Sequence, residues 1–108
     1  MNLYFLLEDS GHRRVITIDV ASIDEHNVHL VQAELLPLLD DFSEVVLDLH
    51  AIGFMSSSGI GLLLRCLQTM KAKGGELSLR RPSPKVRVLF DIIGLERVLP
   101  IEDQPEAE

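Results

Sequence analysis

The chain has 108 residues, 46% hydrophobic and 25% charged, with 17 acidic side chains against 10 basic ones and a formal net charge of −7. That length suits one domain with its own core, and the acidic balance argues against a nucleic-acid surface, which needs clustered Lys and Arg. No apolar run approaches the roughly 20 residues that span a bilayer, and a lone Cys66 permits no internal disulfide, as expected of a protein in a reducing cytoplasm.

Residues 3–7 form a short apolar run, without the basic region that opens a signal peptide, and read as a first strand. Turn chemistry at residues 8–12 leads to β-branched residues 13–20, so the two runs predict a hairpin. Residues 19–25 read as polar and irregular. Asn27 or Asp24 is placed to cap a helix in which Val28, Val31, Leu35 and Leu38 or Leu39 recur at helical spacing. Pro37 should kink or fray its last turn, because proline lacks a backbone donor.

Residues 43–49 read as a third strand, apolar on both faces and therefore central or next to the centre. A polar segment around Gly53 leads to three consecutive serines, Ser56, Ser57 and Ser58, directly ahead of a helix expected to run to about Lys73. Its predicted buried stripe is Ile60, Leu63, Leu64, Leu67 and Met70, with Arg65, Gln68, Thr69 and Lys71 turned to water. Gly74 and Gly75 end it.

Residues 76–80 alternate as a fourth strand, and Ser83 is placed to cap a short helix over 85–93 that Gly94 closes. Val86, Leu89, Phe90 and Ile93 are its expected core face. Residues 98–101 fit an edge strand, which tolerates Pro100. Residues 102–108 form a proline-containing acidic tail expected to be disordered, so the folded domain is drawn as residues 1–101. Alternation of strand and helix after a hairpin predicts an α/β domain: a mixed sheet with parallel crossovers made by three helices.

The serines are the main chemical feature. A hydroxyl at a helix N-terminus meets unpaired backbone N–H groups and the positive end of the helix dipole, which suits a cap and equally an attached phosphate. The nucleophile-elbow hydrolase reading fails by composition, since Met55 stands where the elbow needs its first glycine, and turnover of simple esters would test what remains of it. Gly53, Gly59 and Gly61 lack the Lys-Ser or Lys-Thr ending of a phosphate-binding loop. His26 and His29 have no further Cys or His to complete a metal site, and His12 and His50 are isolated in sequence. Asp48 sits on a strand where it could orient a loop or a helix terminus, Cys66 reads as a packed thiol, and the one basic cluster, Arg80 and Arg81 with Lys85 and Arg87, reads as a solvated loop and helix face, with contact to an anionic ligand or partner as the alternative.

Three blocks in order resemble a known family: residues 45–49 through 54–61, residues 74–77 and residues 88–95. Together they resemble the bacterial anti-sigma factor antagonists, the single-domain members of the STAS class. In that family the helix opens with aspartate and two hydroxyl residues before glycine, and the first hydroxyl accepts phosphate. Aligned on Gly59, the resemblance implies Ser57 as acceptor, with Ser58 second and Ser56 in place of the aspartate. That substitution makes Ser56 the alternative acceptor.

The resemblance further implies a fold with no cofactor and no catalysis of its own. Its expected partners are an anti-sigma factor that is also a serine kinase, and a protein serine phosphatase that resets the switch. The implied partner-binding residues are Asp24, His26 and Asn27 ahead of the first helix, Ser56, Ser57, Ser58 and Gly59 at the second, and Arg65 beyond them. The rival reading is an accessory subunit that docks on a membrane transport ATPase without phosphorylation.

Overall fold

The computed structural model describes residues 4–102. Strands β1 (Phe5–Ser10) and β2 (Arg13–Ile18) form the predicted antiparallel hairpin, turning at Gly11 with φ +61°. The turn is tighter than predicted. Glu8, Asp9 and Ser10 belong to β1, whose edge position lets polar side chains face water, and Asp9 pairs across the hairpin with Arg14 at 2.7 Å. Leu3, the predicted start of that strand, lies outside the described residues.

Three parallel strands extend the hairpin: β4 (Glu44–Asp48) beside β2, then β6 (Glu76–Arg80), then β7 (Ile101–Glu102). The order β1-β2-β4-β6-β7 makes β4 central, and each parallel step is a crossover through one helix. These helices are α1 (Val28–Leu35), α2 (Ser57–Ala72) and α3 (Pro84–Ile93). Their buried residues join the inward side chains of the strands, among them Ile16, Val45, Leu47, Leu77 and Leu79, in one core. The mixed α/β sheet with three crossover helices thus stands as predicted.

The opposite sheet face carries Val15 and Val46, both buried, under charged side chains. Arg13 reaches Glu44 at 2.7 Å and Glu102 at 3.4 Å on that face, so an ion-pair bridge running from β2 to β7 covers apolar residues there. Glu102 is therefore part of the folded sheet and not of a tail; residues 103–108 lie outside the described residues.

Pro37 acts as expected. The α-helix stops at Leu35 and the chain tightens into a 3₁₀ turn over Leu36–Leu39. The stripe of α2 is centred differently from the prediction: Gly59, Leu62, Leu63, Cys66 and Met70 are buried, while Ile60, Leu64 and Leu67 flank the core half-buried. A run as apolar as residues 60–64 fits more than one helical register, and packing against β6 and α1 selects this one. Gly74, at φ +77°, and Gly75 end the helix, and a Cβ at Gly75 would lie 2.9 Å from the Ser43 carbonyl oxygen.

Ser83 caps α3 by accepting from the Val86 N–H at 3.5 Å, and Gly94 closes it in the left-handed conformation. Ile93, expected in the core, is 47% exposed. The chain leaves the helix at Gly94, and Leu95 and Leu99 fill the core position instead. The predicted strand over 98–101 shrinks to β7, because residues Leu95–Arg97 form a 3₁₀ turn and Val98 faces water.

Candidate functional site

The segment read as irregular contains a two-residue strand, β3 (Ser22–Ile23), which pairs in parallel with β5 (Phe54–Met55) just ahead of the serines. Ala21 O accepts from the Gly53 N–H at 2.8 Å, and Ile23 O accepts from the Ser56 N–H at 3.0 Å. Ile23 is fully buried. One apolar residue and a short ladder thus fix the approach to α1 beside the start of α2, and Asp24, His26 and Asn27 come to the same edge as Ser56.

Asn27 takes the N-cap position of α1, yet its side chain does not cap. Its Oδ1 accepts from the Asp24 N–H at 3.0 Å and its Nδ2 donates to the Ser22 carbonyl at 2.8 Å. The Asp24 carboxylate accepts from the His26 N–H at 2.9 Å, and the Asp24 carbonyl takes the N–H groups of Asn27 and Val28. The two candidate caps therefore brace the loop that presents them. His26 and His29 are exposed.

At α2 the three serines have three different environments. Ser56 is the N-cap: its extended backbone (φ −89°, ψ 179°) turns the hydroxyl back to accept from the Ser58 N–H at 3.1 Å. Ser57 is the first helical residue and is exposed, with no hydroxyl partner among the described residues. Ser58 is half-buried. Gly59 is buried, and a Cβ there would collide with the Met55 side chain and lie 3.3 Å from Ile23, so the helix can start this close to β3 and β5 only on a glycine. The first turn carries no acidic side chain to oppose an anion.

Arg65 is exposed but eight residues beyond Ser57, about 12 Å along the helix axis, so the structure does not bring it to the serines. Phe54, 55% exposed, stands two residues before the cap. With Gly53, Met55, Lys85, Val86 and Leu89 it lines an apolar groove of about 210 Å³ between β5 and α3. Sequence reasoning passed over this groove because its lining is split between residues 53–55 and 85–89. The signal available was an aromatic residue in the polar approach to a cap.

The isolated His50 and the solvated Arg80 and Arg81 of the sequence reading are in fact one cluster on Asp48, which is fully buried. Asp48 Oδ1 accepts from the His50 backbone N–H at 3.1 Å and lies 2.7 Å from His50 Nδ1. Its Oδ2 accepts from Arg80 Nε at 3.0 Å and from Arg81 Nε and Nη2 at 3.1 and 2.8 Å. Burial pushes the Asp48 carboxyl up, but the hydrogen bonds from Arg81, His50 and Arg80 outweigh it and hold the pKa at about 2. Cys66 is buried as expected, and burial alone pushes its thiol up to about 12.

Among the described residues no helix is long and apolar enough to cross a membrane. The family model of the STAS domain matches residues 5–107. The anti-sigma F factor antagonist of Paenibacillus polymyxa is 31% identical over 106 residues, covering 95% of this chain and 89% of that protein. The anti-sigma factor antagonist SpoIIAA in its unphosphorylated form matches with a TM-score of 0.72 at 28% identity, covering 95% of this chain and 91% of that one. The Bacillus cell fate determinant SpoIIAA in its phosphorylated form matches at 0.66 and 27%, covering 95% of each.

Proposed function

The chain belongs to the STAS domain family, with anti-sigma factor antagonists among its relatives, and from that premise we propose that it is a binding protein switched by phosphorylation of Ser57. In its unmodified form it binds an anti-sigma factor that is also a serine kinase, and so frees a sigma factor. The kinase transfers phosphate to Ser57, the complex dissociates, and a protein serine phosphatase resets the cycle. ATP belongs to the kinase, and the antagonist itself performs no catalysis. It acts in the cytoplasm.

The observation that carries this reading is the division of labour between adjacent serines. Ser56 is occupied as the cap, while Ser57 offers an exposed hydroxyl, without a partner among the described residues, at the first position of α2. A phosphate there adds about −1.5 to −2 charge, which the positive end of the helix tolerates. A partner packed against the bare hydroxyl does not, because the dianion would have to be desolvated. One group therefore breaks one complex. The braced loop of Asp24, His26 and Asn27 and the groove at Phe54 flank Ser57 and supply the rest of the contact surface.

Intact mass and phosphopeptide mapping of the protein isolated from its own host, across growth conditions and with a phosphatase-treated control, tests the proposal. A single phosphate on Ser57 whose occupancy changes between conditions is expected. Phosphate on Ser56 would move the site, and no phosphate in any condition would reject the switch.

A further inference from the structure

We infer that Arg80 and Arg81, with His50 beside them, form a binding site for the phosphate group of a small anion, separate from the serine helix and built on Asp48. The site stands at the carboxyl ends of the two central parallel strands, β4 and β6, where Asp48 and Arg80 are cross-strand partners. Asp48 is spent holding the bases of the two guanidinium groups, through Nε of Arg80 and through Nε and Nη2 of Arg81. Both nitrogens of the outer edge of Arg80, Nη1 and Nη2, and Nη1 of Arg81 have no partner among the described residues.

Both arginine side chains reach the surface. Arg80 is 25% exposed, Arg81 46% and His50 49%, and the one buried side-chain nitrogen or oxygen without a partner among the described residues is Glu34 Oε1. The acidic residue across the ladder is engaged elsewhere. Glu102 lies opposite Arg80 across the β6–β7 ladder, but its carboxylate goes to Arg13 and to the Ser78 hydroxyl. Two guanidinium groups share one carboxylate, which leaves a surplus positive charge on a chain whose net charge is −7.

The backbone gives an independent indication. Arg81 takes φ +53°, a left-handed conformation that side-chain-bearing residues adopt rarely, and this conformation accompanies the return of its side chain to Asp48. A guanidinium is a planar fork of N–H donors that matches the oxygens of a tetrahedral dianion, and Arg is favoured for this geometry over Lys. His50 Nδ1 lies 2.7 Å from Asp48 and 3.1 Å from Arg81 Nη2, so the ring is held at the rim of the same site.

The test is a titration of isotope-labelled protein with inorganic phosphate at constant ionic strength, followed by nuclear magnetic resonance. A saturable shift of the His50, Arg80 and Arg81 signals, with millimolar or tighter affinity, is expected. Arg81→Gln should weaken it at least tenfold. Because Asp48 keeps Arg80 in that variant, the fold should persist, and the wild-type titration stands as a test even if it does not. Shifts that never saturate, or that centre on Ser57, would overturn the inference. Equal binding of succinate at the cluster would overturn the phosphate assignment. Because the readout needs no partner protein, its failure is distinct from failure of the Ser57 switch.

Discussion

The Ser56 hydroxyl accepts from the Ser58 backbone N–H at 3.1 Å, bridging over Ser57 and leaving that residue's own hydroxyl exposed. Removing the bridge in Ser56→Ala should cost about 1 kcal/mol, the usual worth of an N-cap. Ser56→Asp should restore the loss, since a carboxylate also accepts the bond and favours the positive helix end. Urea denaturation of the three proteins checks both, and an unchanged midpoint in the alanine variant would show that the cap contributes nothing.

Asp48 contributes to the acid limb of stability. Its folded pKa of about 2 lies below the ordinary carboxylate value, so the stabilisation it provides is fully present above about pH 4 and is lost as pH falls towards 2. A depression of that size corresponds to about 2 kcal/mol. Asp48→Asn should flatten the stability profile between about pH 4 and 2 and lower stability at pH 7, because Arg80 and Arg81 lose their shared carboxylate. Denaturant midpoints measured at several pH values read out the slope.

Gly59→Ala should cost about 1–3 kcal/mol, the usual range for forced overpacking, because the new methyl group meets Met55 and Ile23 at the contact between α2 and the β3–β5 pair. Gly61→Ala is the matched control: a Cβ there meets nothing within 4 Å and should stabilise the helix slightly. Equal midpoints for the two variants would contradict this packing.

Cys66 is buried on the inner face of α2 with its thiol pushed up to about 12. Iodoacetamide at pH 8 should therefore label the native protein only as fast as it unfolds, and label it readily in denaturant. Fast labelling without denaturant would place the thiol outside the core.

Local rules located most of this fold. β-branched runs, Gly74, Gly94 and Ser83 acted through their own backbone preferences, which a sequence displays directly. Ser22–Ile23 escaped because two residues carry no period, and the pairing with Phe54–Met55 closes over some thirty intervening positions. The Asp48 cluster was hidden for the same reason: Asp48 and Arg81 are 33 residues apart, and only the β4–β6 register joins them. Residues 98–102 failed differently, since an apolar pair beside proline fits either a strand or the 3₁₀ turn that forms. The serines were legible as a helix start, but their separate roles depend on backbone angles at Ser56 that no spacing reveals.

The Ser57 switch makes a prediction that separates charge from fold. Ser57 is exposed and makes no hydroxyl contact with the described residues, so Ser57→Ala and Ser57→Asp should each leave the urea midpoint within about 0.5 kcal/mol of the parent. Binding to the host's anti-sigma kinase should divide them. Ser57→Ala should bind at least as tightly as the parent and stay bound in the presence of ATP, because it offers no acceptor. Ser57→Asp should bind at least tenfold more weakly, because association would have to strip water from a carboxylate that the helix end stabilises in the free protein. Titration calorimetry with the purified kinase measures both affinities. Equal affinities would mean that charge at this position does not govern the complex, whereas weaker binding by both variants would make the hydroxyl a contact in its own right.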